Sequence, residues 1–268
     1  MVKSSMIRRF AILALLAGLS TATAGAAELT VTSAVGFRPA LQELAQAFEK
    51  SSGHKLKIEY ATAGKVDEKV RGEDTIDVAI VTKSLFDKQV REAKMVGGTT
   101  TQLARQQNGL AVKKGAAKPD ISSLDAFKKT LAGAKSIALA DPAEGGAASI
   151  FVAQQFEKLG ITGEIKPKLK LLKAAAGQAI PPVADAVQRG EAEIGILPLS
   201  LAMQVQGIDV VGPLPAEFQS PDLAFVAGTP WTCERPIEAK ALIDFLAGPA
   251  AKAVYKAKGM VPAERPAS

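Results

Sequence analysis

The sequence predicts an α/β fold of two lobes, each an open, mostly parallel sheet flanked by helices. Three observations carry this. Strand-like and helix-like segments alternate from residue 28 onward, the order that builds parallel sheets with helices on both faces. After about residue 108 the alternation starts afresh, without visible sequence repetition. Two short extended stretches, 109–112 and 223–226, stand apart from both series and look like hinge crossings between the blocks. Residues 28–108 and 223–268 then form one lobe and 109–222 the other. A single doubly wound domain of about 240 residues satisfies the same pattern.

Residues 28–33 (ELTVTS) read as the first strand. Leu41, Leu44, Ala45 and Phe48 follow at i, i+3, i+4 and i+7, one face of a helix. Pro39 suits only the first turn of that helix, where its missing N–H costs nothing, and Ser52-Gly53 supplies the stop. Leu56, Ile58 and Tyr60 alternate as in a strand. Val66 and Val70 mark a second helix with Thr62 as its N-cap. Residues 76–81 (IDVAIV) form the continuous apolar run of a strand covered on both faces, and a third helix runs over about 84–94. In the second block 136–140 (SIALA), 169–172, 194–197 (IGIL) and 208–211 (IDVV) read as strands. Its helices are 146–159, with Ile150, Phe151 and Phe156, and one opened by Pro181-Pro182 that carries Val183 and Val187. Helices 236–246 and 249–258, joined by Ala247-Gly248, finish the chain.

The chain has 268 residues, 47% hydrophobic and 22% charged, which suits a folded protein and excludes a disordered or collagen-like one. One Cys excludes an intramolecular disulfide framework and any multi-Cys metal or cluster site; one His, His54, excludes paired-His zinc motifs. Residues 1–27 carry Lys3, Arg8 and Arg9, then the apolar run 10–19 (FAILALLAGL), then the small residues 20–27 (STATAGAA) with Ala-x-Ala options. That order is the pattern of a secretory signal peptide, and the run falls well short of the roughly 20 residues that span a bilayer. Removing those three cations from the 33 basic residues leaves 30 against 27 acids, a net +3. With 5% aromatics that balance is too mild to point to nucleic acid. The mature chain is expected in the periplasm.

No phosphate-cradling P-loop, no G-x-S-x-G elbow and no H-E-x-x-H motif occurs. His54 sits in a polar turn and Cys233 beside Arg235, and neither belongs to a nucleophile, base and orienter set. What remains is four strand-to-helix turns rich in small and hydroxyl residues: SAVG at 33–36, ATAG at 61–64, TKS at 82–84 and DPAEGG at 141–146. In an open parallel sheet such turns share one edge, where ligands bind and where helix N-termini offer unpaired N–H groups to anions. The candidate binding residues are Ser33, Gly36, Phe37, Thr62, Ala63 and Thr82 in the first lobe. In the second they are Gly145, Gly146, Ala147 and Ser200. Arg38 and Lys83 add charge if their side chains turn inward. No catalytic residue, metal site or cofactor is expected.

The segments LTVTSAVGFRPALQELAQAFEKSSGHKLKIEYATAGKV, TIDVAIVTKS, QNGLAVKKG, IALADPAEGGAA, DAVQRGEAEIGILPLSLA, SPDLAFVAG and FLAGPAAKAVYKAKGM carry a resemblance through their order and spacing. Together they resemble the type II periplasmic solute-binding proteins of ABC transporters, closest to the molybdate-binding branch. The resemblance covers nearly all of the chain beyond residue 28. It implies the two-lobed fold of that class with two hinge crossings, a small anionic ligand in the interlobe cleft, a membrane permease as partner, and a monomer that closes on its ligand. The departures fall in the turns. The oxyanion-binding Ser of the branch aligns with Gly36, its second Ser pair with Thr62 and Ala63, and its Tyr with Pro198 or Leu199. The ligand implied is therefore an oxyanion like molybdate or tungstate, or a small organic carboxylate.

A second reading keeps the fold and changes the role: an exported enzyme, or an accessory protein of a sensor. An enzyme needs a reactive group in the cleft, and only Lys83, Asp141, Glu144 or Cys233 could serve.

Overall fold

The computed structural model describes residues 26–174 and 180–264. Strand β1 (Glu28–Ala34) leads through a single 3₁₀ turn (Val35–Phe37) into α1 (Arg38–Ser52). There follow β2 (Lys55–Ala61), α2 (Ala63–Arg71), β3 (Val78–Thr82), α3 (Lys83–Arg91) and β4 (Thr101–Arg105). The middle of the chain forms β5 (Asn108–Lys113), α4 (Leu124–Gly133), β6 (Ile137–Ala140), α5 (Ala147–Lys158), α6 (Thr162–Ile165) and β7 (Leu169–Leu172). It continues as α7 (Pro182–Gln188), β8 (Ile194–Pro198), α8 (Leu199–Ala202) and β9 (Ile208–Pro213). Strand β10 (Ala224–Gly228), α9 (Pro236–Ala247), α10 (Pro249–Ala257) and β11 (Val261–Pro262) close the fold. The expected leader lies almost wholly outside the described residues, and among these no helix is long and apolar enough to cross a membrane.

The strands form two sheets, ordered β11-β4-β10-β3-β1-β2 and β7-β6-β8-β5-β9. Each has a parallel centre, β2-β1-β3 and β7-β6-β8, as the alternation of strand and helix requires. The remaining pairs are antiparallel, so both sheets are mixed where the sequence suggests mostly parallel ones. The reason is the route of the chain. Strands β5 and β10 each arrive from the other sheet, with no helical crossover to turn them parallel to their neighbours.

Sheet membership changes between β4 and β5 and again between β9 and β10. The two connecting segments are bonded to each other. Asn108 donates its backbone N–H to Gln219 Oε1 at 3.0 Å, Gln219 Nε2 donates to the Asn108 carbonyl at 2.8 Å, and the Gln106 N–H donates to the Leu223 carbonyl at 3.2 Å.

Each sheet is sealed by its own core. In the first, α1 buries Leu41, Leu44 and Phe48, and Gly53, at φ +77°, ends the helix by donating its N–H to the Glu49 carbonyl. All of β3 is buried. Phe37 stacks between Phe225 and Tyr255, ring centroids 5.1 and 5.4 Å away. In the second, Phe218 is held between Phe127 and Phe156 at 5.0 and 5.5 Å. Just before β3 the carboxylate of Asp77, fully buried, accepts the Thr30 N–H at 2.8 Å and faces Arg235 at 3.5 Å.

Candidate functional site

A cleft of about 230 Å³ lies between the carboxyl ends of the two parallel centres. On one side it is walled by the turns after β1, β2 and β3. On the other stand the turn after β6, the start of α5, and β8. Several helices begin at this edge, α2, α3 and α5 among them. Thr62 caps α2, its Oγ1 accepting the Lys65 N–H at 3.4 Å. Neither α3 nor α5 has a side-chain cap, which leaves first-turn N–H groups free for a ligand.

Charge in the cleft is sparse and of both signs. Arg38 is the one cation among the described lining residues; its guanidinium stands 5.9 Å over the Tyr60 ring. Burial pushes the Tyr60 phenol up to about 12, against the opposing pull of Arg38. Across the cleft stand Asp141 and Glu144, which share Lys173 at 3.8 and 3.6 Å. Asp141 also accepts the Ala143 N–H at 2.9 Å, which fixes its turn.

The mouth is bridged. The Gly64 N–H donates to the Gly145 carbonyl at 3.1 Å, and Ser200 Oγ donates to the Gly36 carbonyl at 2.9 Å. Each bond joins an element of one sheet to an element of the other. Two layered sheets clasping a cleft that such bonds close, and a sequence whose motifs run in the order noted above, agree with one family profile: "Bacterial extracellular solute-binding protein" matches residues 29–261. The chain belongs to that family of solute-binding proteins.

Relatives of this solute-binding protein carry names of different kinds. A Pseudomonas protein called aconitate isomerase is 32% identical over 239 residues, 87% of each chain. The molybdate-binding protein ModA of Azotobacter vinelandii is 29% identical over 255 residues, 92% of this chain and 95% of its own. Among solved structures, the Azotobacter periplasmic molybdate-binding protein aligns at TM-score 0.70 and 22% identity, covering 88% of this chain and all of the other. A substrate-binding domain of a molybdenum ABC transporter from Clostridium difficile aligns at TM-score 0.70 and 19% identity, covering 89% and 100%. At these identities the structures show the shared fold, and the resemblance to the molybdate-binding branch stands.

Of the residues expected at the site, Gly36, Thr62, Ala63, Thr82, Gly146 and Ala147 line the cleft. Four lie elsewhere. Ser33 is fully buried in β1, its hydroxyl turned back on the Ala34 carbonyl at 3.3 Å. Phe37 points away from the cleft: it ends the 3₁₀ turn, and its ring fills the core beside Phe225 and Tyr255. Gly145, at φ +75°, and Ser200 are the bridging residues themselves. Arg38 is among the lining residues, its guanidinium over Tyr60, whereas Lys83 pairs with Asp87 one helical turn on. Cys233 lies outside the cleft, beside Asp77, and burial pushes its thiol up.

Sequence reasoning missed Gln106 and Asn108, which line the cleft from the crossing segment. Gln106 packs against Gly36. A Cβ at position 36 would meet Gln106 Oε1, so a serine there would require the amide end of that flexible side chain to shift. Asn108 donates Nδ2 to the Phe218 carbonyl at 2.9 Å, while its buried Oδ1 has no partner. Also unforeseen is the apolar wall of the second sheet: Leu139, Val152, Leu172, Ile180, Val183 and Ile196.

Proposed function

We propose that this solute-binding protein captures a small anion in its interlobe cleft, in the periplasm, and delivers it as a monomer to the membrane permease of an ABC importer. One observation carries the reading. Uncapped helix starts and Arg38 face a cleft that bonds from Gly64 to Gly145 and from Ser200 to Gly36 close over. Helix N-termini favour negative charge whatever its chemistry. The bridging bonds are of the kind that a hinged protein makes only when shut; hinge closure in periplasmic binding proteins is a general example of such motion. Thermal unfolding of the purified chain against molybdate, sulfate, phosphate and small carboxylates tests this. A ligand at ~100 times its dissociation constant stabilises by about 2.7 kcal/mol, a rise on the order of 5–10 °C for a protein of this size. A rise only with neutral or cationic compounds would overturn it.

The 32% identical aconitate isomerase favours a second reading, in which the chain turns its ligand over. Asp141 and Glu144 are the cleft groups able to move a proton between carbons. Incubating the purified chain with trans-aconitate and following the cis isomer by proton NMR separates the readings. Turnover supports the enzyme, and binding without turnover supports capture.

A further inference from the structure

The cleft is unlike itself from one side to the other, and that asymmetry restricts what fits. We propose that it selects a monocarboxylate with a compact apolar body, an aromatic or branched-chain acid, over di- and tricarboxylates and over hydrated oxyanions. The proposal rests on the reading that the cleft captures an anion, and narrows it.

Charge comes first. Among the described lining residues Arg38 is the only cation, and it stands with the caps and N–H groups of the first sheet. One carboxylate is matched there. A second or third carboxylate would face Asp141 and Glu144 on the opposite wall, where Lys173, 67% exposed, and the uncapped start of α5 offset them only in part. Like charges brought together in a partly dry cleft repel, and the screening that softens this at a surface is reduced there.

The wall opposite Arg38 supplies the second argument. All six apolar residues line it: Leu172 and Ile180 are partly exposed, while Leu139, Val152, Val183 and Ile196, 1–2% exposed, back them from the core. An apolar body laid on it leaves water, the main source of binding free energy for such a group. A hydrated tetrahedral oxyanion gains nothing there and loses the hydrogen bonds that water gave it. Nor does position 36, a glycine, offer a hydroxyl.

Volume agrees. The cleft holds about 230 Å³. A dry cavity of roughly 150 Å³ already accommodates benzene, so a ring or branched chain with one carboxylate fits without filling the cleft with water.

The test is calorimetric titration of the full chain with benzoate, 3-methyl-2-oxobutanoate, succinate, trans-aconitate, molybdate and the neutral amide benzamide. We expect benzoate or 3-methyl-2-oxobutanoate to bind at least ~10-fold tighter than succinate, trans-aconitate and molybdate, and benzamide at least ~10-fold weaker than benzoate. Succinate, trans-aconitate or molybdate binding as tightly as the best monocarboxylate would overturn the selectivity while leaving anion capture intact. Failure of every anion to bind would overturn both. Glu144→Gln, an exposed-side change that spares the core, should raise trans-aconitate affinity about threefold or more by removing one opposing charge. An unchanged affinity would refute the charge argument even if the monocarboxylates win.

Discussion

The hydroxyl of Ser200, on the first turn after β8, donates to the carbonyl of Gly36, on the turn after β1, at 2.9 Å, with both residues buried. A neutral bond of this kind contributes a net ~0.5–1.5 kcal/mol. If it forms only when the cleft shuts, Ser200→Ala weakens the affinity for whichever acid binds the parent protein by roughly 2- to 12-fold. Calorimetry measures this. An unchanged constant would mean that the bond persists when the cleft opens.

Gly145 sits at φ +75°, against Gly64. A side chain there is strained by ~1–2 kcal/mol, so Gly145→Ala should lower the thermal midpoint by roughly 2–8 °C. Gly64→Ala is the control. Its Cβ meets Gly145 at 3.5 Å, an ordinary contact, and it should cost less. Differential scanning calorimetry of the two variants side by side gives the comparison.

Thr62 both caps α2 and lines the cleft. Thr62→Val removes one hydroxyl at nearly constant volume. Where that hydroxyl donates to a charged ligand, affinity should fall by ~1.5–3 kcal/mol, roughly 10- to 150-fold. A loss of stability with no loss of affinity would assign Thr62 to the helix alone.

The chain has two tyrosines, Tyr60 and Tyr255. Burial raises both phenols, Tyr60 to about 12 and Tyr255 further, with its hydroxyl donating to the Leu246 carbonyl at 2.7 Å. A phenol raised in the folded state stays protonated there while the unfolded chain, titrating near 10, releases its proton. The folded form then holds more protons, so stability falls as pH rises above about 10 and through 12. Absorbance near 295 nm should show no phenolate step at pH 10 in the folded protein, and one in denaturant.

Asp77 is the buried acid on which Thr30 and Arg235 converge. Asp77→Ala strands the Thr30 N–H inside the first sheet, and the expected loss is ~1–3 kcal/mol in urea unfolding with an unchanged slope. Ligand affinity should not move, since Asp77 does not line the cleft.

How much of this was legible beforehand follows from what each element needs. The helix carrying Leu41, Leu44 and Phe48 and the strand 76–81 announce themselves because one face, or both, is buried over several residues. Strand β4 (TQLAR) does not: it buries only Leu103 and Ala104, and its pairing with β10 is set by the return of the chain. Helix α4 left a trace, Ser123 accepting the Ala126 N–H as an N-cap ahead of Phe127 and Leu131. The cleft residues on turns were readable because anion sites need small residues next to helix starts. Phe37 was misplaced because a 3₁₀ turn rotates it into the core, and a pattern of small residues does not encode that rotation. Gln106 and the apolar wall were invisible, since they meet the cleft only through tertiary packing.

The paired crossings have a mechanical consequence. Two strands that cross separately between bodies allow them to twist, slide and fold. Here Asn108 is tied to Gln219 in both directions, and Gln106 to Leu223 beyond it. A ladder of cross-links bends about its rungs far more readily than it shears or turns along its rails. On the reading that the cleft opens and closes, the soft coordinate that remains is the aperture of its jaws. A ligand too long for the cleft could not be accommodated by sidestepping. It would hold the jaws ajar and forfeit the contact between Ser200 and Gly36, so molecular length is discriminated as an angle.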